Sequence, residues 1–387
     1  MDFVIIANDW AAGIDNPTSK HRIAMELARR GNRVLWLEGT GMRVPTVSSG
    51  HDRSRITGKL KKAVRPPRLA MENHGLEGKI WVLSPLSLPI PNLAWVRGLN
   101  GAIYGNMGRF WAGRLGFHKP ALINYVPILA EAMPVWPWQR VYHCVDRWDA
   151  FGMYNSGLMS EMDGRCCRYA QNVIASSADL ADRCRRHNPQ VDLVMHGVDH
   201  AHFAQALEDA PRPDDLPPGE SAGFFGLLSE WLDQELIVKL AHSIAPAQVV
   251  LIGKADVDIE RLKGIPNLHL LGPRPFSKLP AYVRNFQVGL IPFVVNDLTR
   301  AVNPIKLREM LAGGCPVVST MLPEVERYAG AAGAVDVVRT HDEFVEAVRR
   351  RLAKPATAAQ RQAISNCMES ETWAAKVSEI LRAISAS

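Results

Sequence analysis

The hydrophobic positions of this chain form short continuous runs, and amphipathic segments of helix length separate most of them. The runs of the first half lie at 2–8, 32–39, 80–85, 121–126, 140–146, 172–177 and 191–197. Those of the second half lie at 223–226, 248–253, 267–272, 286–293, 315–320 and 333–338. Continuous apolar strands that alternate with helices are typical of parallel sheets with both faces covered. The pattern therefore predicts an α/β chain with two doubly wound domains.

A stretch rich in proline and acidic residues separates the two halves. Residues 208–221 read EDAPRPDDLPPGES and show no periodicity, which is typical of a surface linker. We expect a first domain over 1–205, a linker over 206–221 and a second domain over 222–370. A C-terminal helix over 371–387 could pack back on the first domain. Two such domains that face each other leave a cleft at the carboxyl ends of their strands, where ligands of this architecture bind.

The composition agrees with two folded domains. The chain has 387 residues, of which 47% are hydrophobic and 22% charged, a globular balance in a chain too long for one ordinary core. Its six cysteines form no CxxC pair and no Cys/His cluster at zinc spacing, so we expect reduced thiols, a cytosolic chain and no metal site. The start, MDFVIIAND, lacks the features of a signal peptide, and no apolar stretch reaches the roughly 18 residues of a membrane span.

The net charge of +6 is modest, but one segment concentrates basic residues. No acidic residue interrupts this run, whose members are Arg53, Arg55, Lys59, Lys61, Lys62, Arg65 and Arg68. Such a run favours an anionic partner. Nucleic acid is disfavoured because the run contains no aromatic residue on which a base could stack. A flexible, solvated loop is the alternative.

The segment NPIKLREMLAGGCPVVST, residues 303–320, predicts a helix with an unusual charge pair. Asn303 is a candidate cap, and Gly313 is a candidate end. Lys306 and Glu309 share one face, and Lys306 lies in the first turn, at the positive end of the helix dipole. A cation there is explained if a phosphate binds at the helix start. The alternative is a solvated pair worth about 0.3 kcal/mol.

Candidate chemistry in the first half lies after a strand, in VYHCVDRWDAF. Asp146 ends that strand and Asp149 follows, so a general base for an attacking hydroxyl and a simple helix cap are both open interpretations. Gly226 also follows a strand and would permit close backbone approach, or form an ordinary tight turn. His196 alone is more typical of a packed histidine than of a catalyst. The chain has no GxGxxG and no Walker A motif, so it lacks these two phosphate-binding signatures.

Taken together, three segments resemble the bacterial glycosyltransferases of GT-B fold over nearly the whole chain. Residues 303–320 resemble the nucleotide-sugar segment of the form KLxEYLAxGxPVV, HGVDHAHF (196–203) resembles the hinge motif NGVDxxxF, and GFFGLLSEW (223–231) resembles the start of the donor domain. The pattern is similar to glycosyltransferase family 4 and to xanthan-type exopolysaccharide glucuronosyltransferases. The resemblance implies two Rossmann-like domains facing across a cleft.

The resemblance also implies roles for residues. Lys306 would bind the donor diphosphate or sugar and Glu309 would lie near ribose. Asp146 would be the catalytic base. The remaining donor-binding candidates are Ile305, Asn303, Phe293, Gly226 and Leu228. The candidate acceptor or hinge residues are Asp149, His196 and Asp199.

One departure concerns the stereochemistry. Family 4 retaining enzymes commonly carry two glutamates eight positions apart, and here Ala301 stands where the earlier one is expected. The missing carboxylate favours an inverting, base-assisted displacement. No metal is required if the helix dipole and Lys306 take the charge of the leaving diphosphate.

We therefore expect a metal-independent hexosyltransferase that uses no cofactor. It would move a sugar from a nucleotide-diphosphate donor, UDP-linked by preference, to a lipid-linked or polysaccharide acceptor in exopolysaccharide or cell-surface biosynthesis. The basic run would hold it peripherally at the inner face of an anionic cell membrane. A GT-B-like nucleotide-sugar epimerase and a non-catalytic two-domain sugar-binding protein are the alternatives.

Overall fold

The computed structural model describes residues 1–11, 16–39, 66–70, 80–209 and 211–385. The chain divides into two compact units. The first unit comprises Met1–Met195 together with Val377–Ser387, and the second comprises His196–Lys376.

An eight-stranded sheet is the centre of the first unit. Its strands are β1 (Asp2–Ala7), β2 (Arg33–Glu38), β3 (Arg68–Leu69), β4 (Ile80–Leu83), β5 (Ala121–Asn124), β6 (Arg140–Cys144), β7 (Asn172–Ala175) and β8 (Val191–Leu193). Their spatial order is β3-β4-β2-β1-β5-β6-β7-β8. All pairs are parallel except β3 with β4, which is antiparallel. Every residue of β1 is buried, as the continuous apolar run predicts.

Helices of the first unit follow its strands. They are α1 (Ser19–Arg29), α2 (Ala94–Arg114), α3 (Ser156–Tyr169) and α4 (Ala178–Arg185), with 3-10 turns at Pro127–Ala132 and Trp148–Ala150. Helix α2 packs through glycines: a side chain at Gly101 would lie 2.5 Å from the backbone of Glu131, and one at Gly105 would lie 2.8 Å from Val135. The absence of side chains at these positions lets the backbone of α2 approach its neighbours closely.

The second unit contains a six-stranded sheet in which all pairs are parallel. Its strands are β9 (Ser221–Phe225), β10 (Gln248–Ile252), β11 (Leu268–Gly272), β12 (Val288–Ile291), β13 (Val317–Thr320) and β14 (Val335–Val338). The order β11-β10-β9-β12-β13-β14 is the 3-2-1-4-5-6 order of a doubly wound sheet. The strand order therefore reverses between β9 and β12.

Helices complete the second unit, and the last of them continues beyond Lys376 into the C-terminal part of the first unit. They are α5 (His200–Ala204), α6 (Gln234–Ile244), α7 (Leu279–Asn285), α8 (Asp297–Arg300), α9 (Ile305–Ala312), α10 (Pro323–Glu326), α11 (His341–Ala353), α12 (Ala358–Asn366) and α13 (Trp373–Ser385). The 3-10 turns lie at Gln205–Leu207, Glu260–Leu262, Phe276–Lys278 and Ala331–Gly333. The stripe of α9 that faces the core is formed by Leu307, Met310 and Leu311, all buried.

The structure confirms the predicted α/β class with parallel sheets, and it differs from the sequence pattern in three places. Strand β3 was not predicted, because two exposed residues carry no periodic signal. The first unit ends at Met195 rather than 205, and the segment predicted as a linker, 206–221, lies inside the second unit. A ring contact explains the earlier boundary: Phe203 of α5 stacks on Phe225 of β9 with centroids 6.0 Å apart.

The third difference concerns the start of α9. Pro304, not Asn303, occupies the cap position, and no side chain caps the helix. The Asn303 side chain instead accepts a hydrogen bond from the Arg308 guanidinium at 2.6 Å. Its predicted capping role was wrong, because a fully buried arginine on the same helix uses the amide oxygen. The predicted end is confirmed, with Gly313 as the C-terminal cap.

Candidate functional site

In the first unit, the strand order reverses between β1 and β5, so the carboxyl ends of the central strands form the expected position for a ligand. Asp146 lies two residues after β6, the strand next to β5. Its carboxylate forms an ion pair with Lys20 of α1, with Nζ and Oδ2 3.7 Å apart. The Asp146 side chain keeps 35% of its surface exposed, whereas the Lys20 side chain keeps only 6%. Asp146 is thus the solvent-facing member of this ion pair, and Lys20 is the buried member.

Aromatic rings surround the Lys20 ammonium. Its Nζ lies 5.2 Å from the ring centroid of Trp148 and 6.0 Å from that of Tyr125. Burial lowers the pKa of Lys20, and the neighbouring Asp146 opposes that shift. Asp146 therefore stabilises the charged form of Lys20 against the effect of burial.

Capping does not explain Asp146. The short 3-10 turn Trp148–Ala150 has Arg147 at its cap position, and no side chain caps it. The helix-cap interpretation from the sequence is therefore replaced by the ion pair with Lys20. The role of general base stays a prediction.

Two histidines lie close to this ion pair and are held neutral. Burial, helped by the positive charge of Lys20, lowers the pKa of His143 to about 3. The same two causes lower the pKa of His21 to about 4. The Nδ1 atom of His143 lies 3.0 Å from the Tyr125 hydroxyl. At neutral pH, the two imidazole rings beside Lys20 are therefore uncharged.

The three residues predicted for the acceptor or hinge have structural partners. Asp149 accepts a hydrogen bond from Arg183 at 2.7 Å. Asp199 caps α5 by accepting from the His202 backbone N–H. His196 is buried beside Trp373, with ring centroids 6.0 Å apart. A role of these residues toward an acceptor stays a prediction.

In the second unit, the turn after β9 meets the start of α9. Gly226 follows β9 with a φ of +150°, a conformation that favours glycine. A side chain there would lie 3.4 Å from Cε of Lys306. The Lys306 ammonium lies 5.3 Å from the centroid of the Phe225 ring. The lysine is therefore held over the carboxyl end of β9, beside the open backbone of the turn.

The pair predicted from spacing is present. Lys306 Nζ lies 3.0 Å from Oε2 of Glu309, and the Glu309 side chain is only 7% exposed. A solvated surface pair would leave both side chains in water, so the buried glutamate excludes that alternative in its simple form. Lys306 keeps 32% of its side chain exposed and remains open to a ligand.

A second glycine fixes the turn after β9. A side chain at Gly253, which follows β10, would lie 1.7 Å from the carbonyl oxygen of Gly226. The Gly226 N–H donates to the Ile252 carbonyl at 2.8 Å, and the Leu228 N–H donates to that of Lys254 at 2.9 Å. The predicted residues Gly226 and Leu228 thus belong to one backbone turn that the two glycines make possible.

The other predicted donor residues lie near the same strand ends. Phe293 follows β12 and is buried, and its carbonyl accepts a hydrogen bond from the Thr320 hydroxyl at 2.8 Å. Ile305 is the first residue of α9, and Asn303 lies two positions before it. Because β12 is next to β9, these residues surround the point where the strand order reverses.

The predicted membrane run lies almost wholly outside the described residues. That is the case for Arg53, Arg55, Lys59, Lys61, Lys62 and Arg65. Arg68 is described: it is exposed in β3, with its guanidinium 3.8 Å from the Glu38 carboxylate.

The sequence analysis missed two groups of residues. Lys20 gave no signal, because a lysine in an amphipathic helix is ordinarily a surface residue. The possible metal ligands of Cys144, Asp163 and Cys184 lie within 4.8 Å of one another, although the cysteine spacing predicted no such cluster. A side-chain hydrogen bond with Cys184 and burial raise the pKa of Cys144, so this thiol is neutral.

Two parallel α/β units, each with polar residues where its strand order reverses, define a GT-B fold. Solved structures of this class cover all of the chain. Sucrose-phosphate synthase from Thermosynechococcus elongatus superposes with a TM-score of 0.71 at 14% identity, over 100% of this chain and 99% of that one. Anabaena HepE in complex with UDP-glucose superposes with a TM-score of 0.64 at 14% identity, over 100% of both chains. These similarities establish the fold.

Sequence comparison indicates the activity class. Residues 220–354 match the family model described as "Glycosyl transferases group 1". A Bacillus subtilis (strain 168) protein, provisionally named as the teichuronic acid biosynthesis glycosyltransferase TuaH, is 25% identical over 276 residues, which cover 66% of this chain and 68% of that protein. Together they support a glycosyltransferase of group 1 type. No helix in the described ranges has an apolar stretch long enough to cross a bilayer.

Proposed function

We propose that this chain transfers a hexose from a UDP-linked donor to a lipid-linked or polysaccharide acceptor in bacterial cell-surface or exopolysaccharide biosynthesis. The observation that carries the proposal is the position of Lys306, which lies at the start of α9 beside the open turn at Gly226. A lysine, a helix N-terminus and backbone that a ligand can approach closely form a binding site for a diphosphate. The UDP-glucose complex of the structural neighbour HepE and the name of the relative TuaH support this choice of donor and product class.

The proposed chemistry is an inverting displacement. Asp146 removes the proton from the acceptor hydroxyl, the acceptor oxygen forms a bond to the anomeric carbon, and the bond to the diphosphate oxygen breaks. Lys306 and the N–H groups at the start of α9 stabilise the charge on the leaving diphosphate. We propose a metal-independent reaction because these groups supply positive charge where it develops.

Lys20 has a positioning role in this proposal. Its ammonium lies 3.7 Å behind the Asp146 carboxylate and would orient that carboxylate towards the acceptor hydroxyl. Glu309 is proposed to bind the ribose hydroxyls while it orients Lys306. We also propose that the chain resembles glycosyltransferase family 4 and the xanthan-type glucuronosyltransferases in function. We propose that it acts at the inner face of the membrane.

Calorimetric titration of UDP into the full chain and into Lys306→Met tests the donor site. Loss of one charged hydrogen bond should weaken UDP binding by about 1.5 to 3 kcal/mol, or roughly 10- to 150-fold. Lys354→Met, a change at an exposed lysine on another part of the second unit, is the control. Equal UDP affinity in all three proteins would reject the proposed site.

A thermal-shift panel of UDP-, GDP- and dTDP-sugars then tests which nucleobase the donor carries, because ligand binding stabilises the folded state. Incubation with the stabilising sugar nucleotide alone separates a transferase from an epimerase. Nucleotide release that requires an acceptor supports the proposal, and an epimerised sugar nucleotide without release contradicts it.

A further inference from the structure

The outer face of α2 and the loop before it expose an unusual number of large apolar side chains. We define this apolar face by Leu88, Ile90, Leu93, Trp95, Leu99 and Phe110. Trp95 keeps 64% of its surface exposed, Phe110 60% and Leu99 42%. Single exposed apolar residues are common, but six of them on one helix and the loop before it mark a surface that another phase or molecule covers.

The pattern of α2 differs from that of an ordinary surface helix. Its inner face combines the glycines Gly101 and Gly105 with the buried side chains of Val96 and Tyr104, so few large apolar side chains form its core stripe. The large apolar residues Trp95, Leu99 and Phe110 instead lie on one outward stripe, since they are four and eleven positions apart. The outward face of this helix therefore carries large apolar side chains of its own.

Two buried polar residues hold the loop of the apolar face rigidly against α2. The Arg97 guanidinium donates to the carbonyls of Pro91 and Asn92 at 2.9 and 3.2 Å. The Asn100 side chain accepts from the Leu88 N–H and donates to the Leu88 carbonyl, both at 2.9 Å. Arg97 and Asn100 are both buried. The exposed leucines are thus presented by a fixed loop.

The charged residues in the stretch of sequence that carries the apolar face all have the same sign. From residue 78 to residue 130 the sequence contains no aspartate and no glutamate, and it contains Lys79, Arg97, Arg109, Arg114 and Lys119. Arg109, Arg114 and Lys119 are exposed. Exposed apolar and aromatic side chains among basic residues complement the surface of an anionic bilayer, where the rings enter the interface and the cations meet the head groups.

We propose that the apolar face inserts into the surface of an anionic lipid bilayer and docks the first unit there. This inference rests on the proposed function, because a lipid-linked acceptor is found at such a surface, and it assigns the docking to residues other than the basic run. Since no described helix can cross a bilayer, α2 would lie in the interface rather than span it.

Sedimentation with sucrose-loaded vesicles tests the proposal. One set consists of phosphatidylcholine, and the other of equal parts phosphatidylcholine and phosphatidylglycerol. The full chain should bind the anionic vesicles preferentially, and Trp95→Gln/Leu99→Gln should lower its partition coefficient roughly tenfold or more, because two apolar side chains no longer insert. Val295→Gln, at a valine of similar exposure in the second unit, should stay within about twofold of the unchanged chain.

Circular dichroism verifies that the double variant is folded, as glutamine is a good helix former at exposed positions. Undiminished vesicle binding by the double variant would overturn the proposal. It would also be overturned if the unchanged chain bound neither vesicle type and sedimented as a dimer that the double variant does not form. That result would assign the apolar face to contact with a second copy of the chain. UDP titration of the same samples separates the two proposals: UDP binding without vesicle binding contradicts only the docking, and the reverse contradicts only the donor site.

Discussion

The ion pair between Lys20 and Asp146 predicts an asymmetric response to mutation. At 3.7 Å and an effective dielectric constant of about 20, the gross attraction is about 4 kcal/mol. Asp146→Asn removes the carboxylate and leaves a buried ammonium without its partner. About a third of Asp146 is exposed and screened by water, so we expect the free energy of unfolding to fall by about 2 kcal/mol, less than for a fully buried pair.

Lys20→Met should behave differently. Methionine fills the space between the rings of Trp148 and Tyr125, and the exposed Asp146 carboxylate can be hydrated, so we expect a change within about 1 kcal/mol. The double variant Lys20→Met/Asp146→Asn has no unpaired charge and should be about as stable as Lys20→Met. Urea unfolding followed by tryptophan fluorescence measures this, because all of the ten tryptophans except Trp231 and Trp373 lie in the first unit.

The pH dependence of Asp146→Asn follows from Lys20. Burial lowers the pKa of Lys20 from its ordinary 10.5, and Asp146 opposes that shift. Without Asp146, the pKa of Lys20 in the folded state lies still further below its value in the unfolded state. The stability deficit of Asp146→Asn should therefore shrink as the pH rises towards 10.5.

Turnover separates stability from catalysis. If Asp146 is the base, Asp146→Asn and the double variant should both lose roughly 10²- to 10⁴-fold in turnover, measured as acceptor-dependent nucleotide release. The double variant would then recover stability without activity. An Asp146→Asn protein as stable as the unchanged chain would refute the ion-pair reasoning, and a double variant with near-normal turnover would refute the assignment of the base.

Two further predictions concern carboxylates. Burial raises the pKa of Asp163 from 3.8 to about 6, so the folded state binds this proton more tightly than the unfolded state and loses stability as the pH rises through that range. Between pH 3.8 and about 6, the free energy of unfolding of Asp163→Asn should therefore increase by up to about 3 kcal/mol relative to that of the unchanged chain. A gain in urea unfolding that does not vary with pH would contradict this. Glu309→Gln should weaken UDP binding about tenfold in calorimetry if Glu309 accepts hydrogen bonds from ribose, whereas tighter binding would show that Glu309 competes with the diphosphate for Lys306.

The sequence pattern predicted most of the fold because the two sheets are buried on both faces. Each buried strand, such as β1 or β12, appears as a continuous apolar run, and this signal does not depend on distant contacts. The domain boundary was harder, since Phe203 joins the second unit through a ring contact with Phe225 that no local pattern records. Strand β3 left no pattern for a different reason, because its two residues are exposed and carry no periodic signal.

The candidate sites were predictable to the extent that their parts are close in sequence. Lys306 and Glu309 share a helix face, so spacing predicted their contact. Lys20 and Asp146 lie far apart in the chain. They meet because α1 follows β1 and Asp146 follows β6, two strands that only β5 separates in the sheet. A lysine gives no sign in the sequence that it is buried. Asp146 was predicted from its position at the end of a strand, whereas Lys20 was not predicted.

The neutral histidines narrow the choice of base in the first unit. By residue type, His143 would be the natural candidate, since a histidine ordinarily titrates near neutral pH. Its ring is buried, its Nδ1 contacts the Tyr125 hydroxyl, and burial with the charge of Lys20 lowers its pKa to about 3. A group so weakly basic gains little by taking a proton at neutral pH, and a buried ring cannot reach an acceptor. The same lysine that suppresses proton uptake by His143 pairs with Asp146, whose carboxylate faces solvent. Geometry therefore favours Asp146 over His143 as the proposed base.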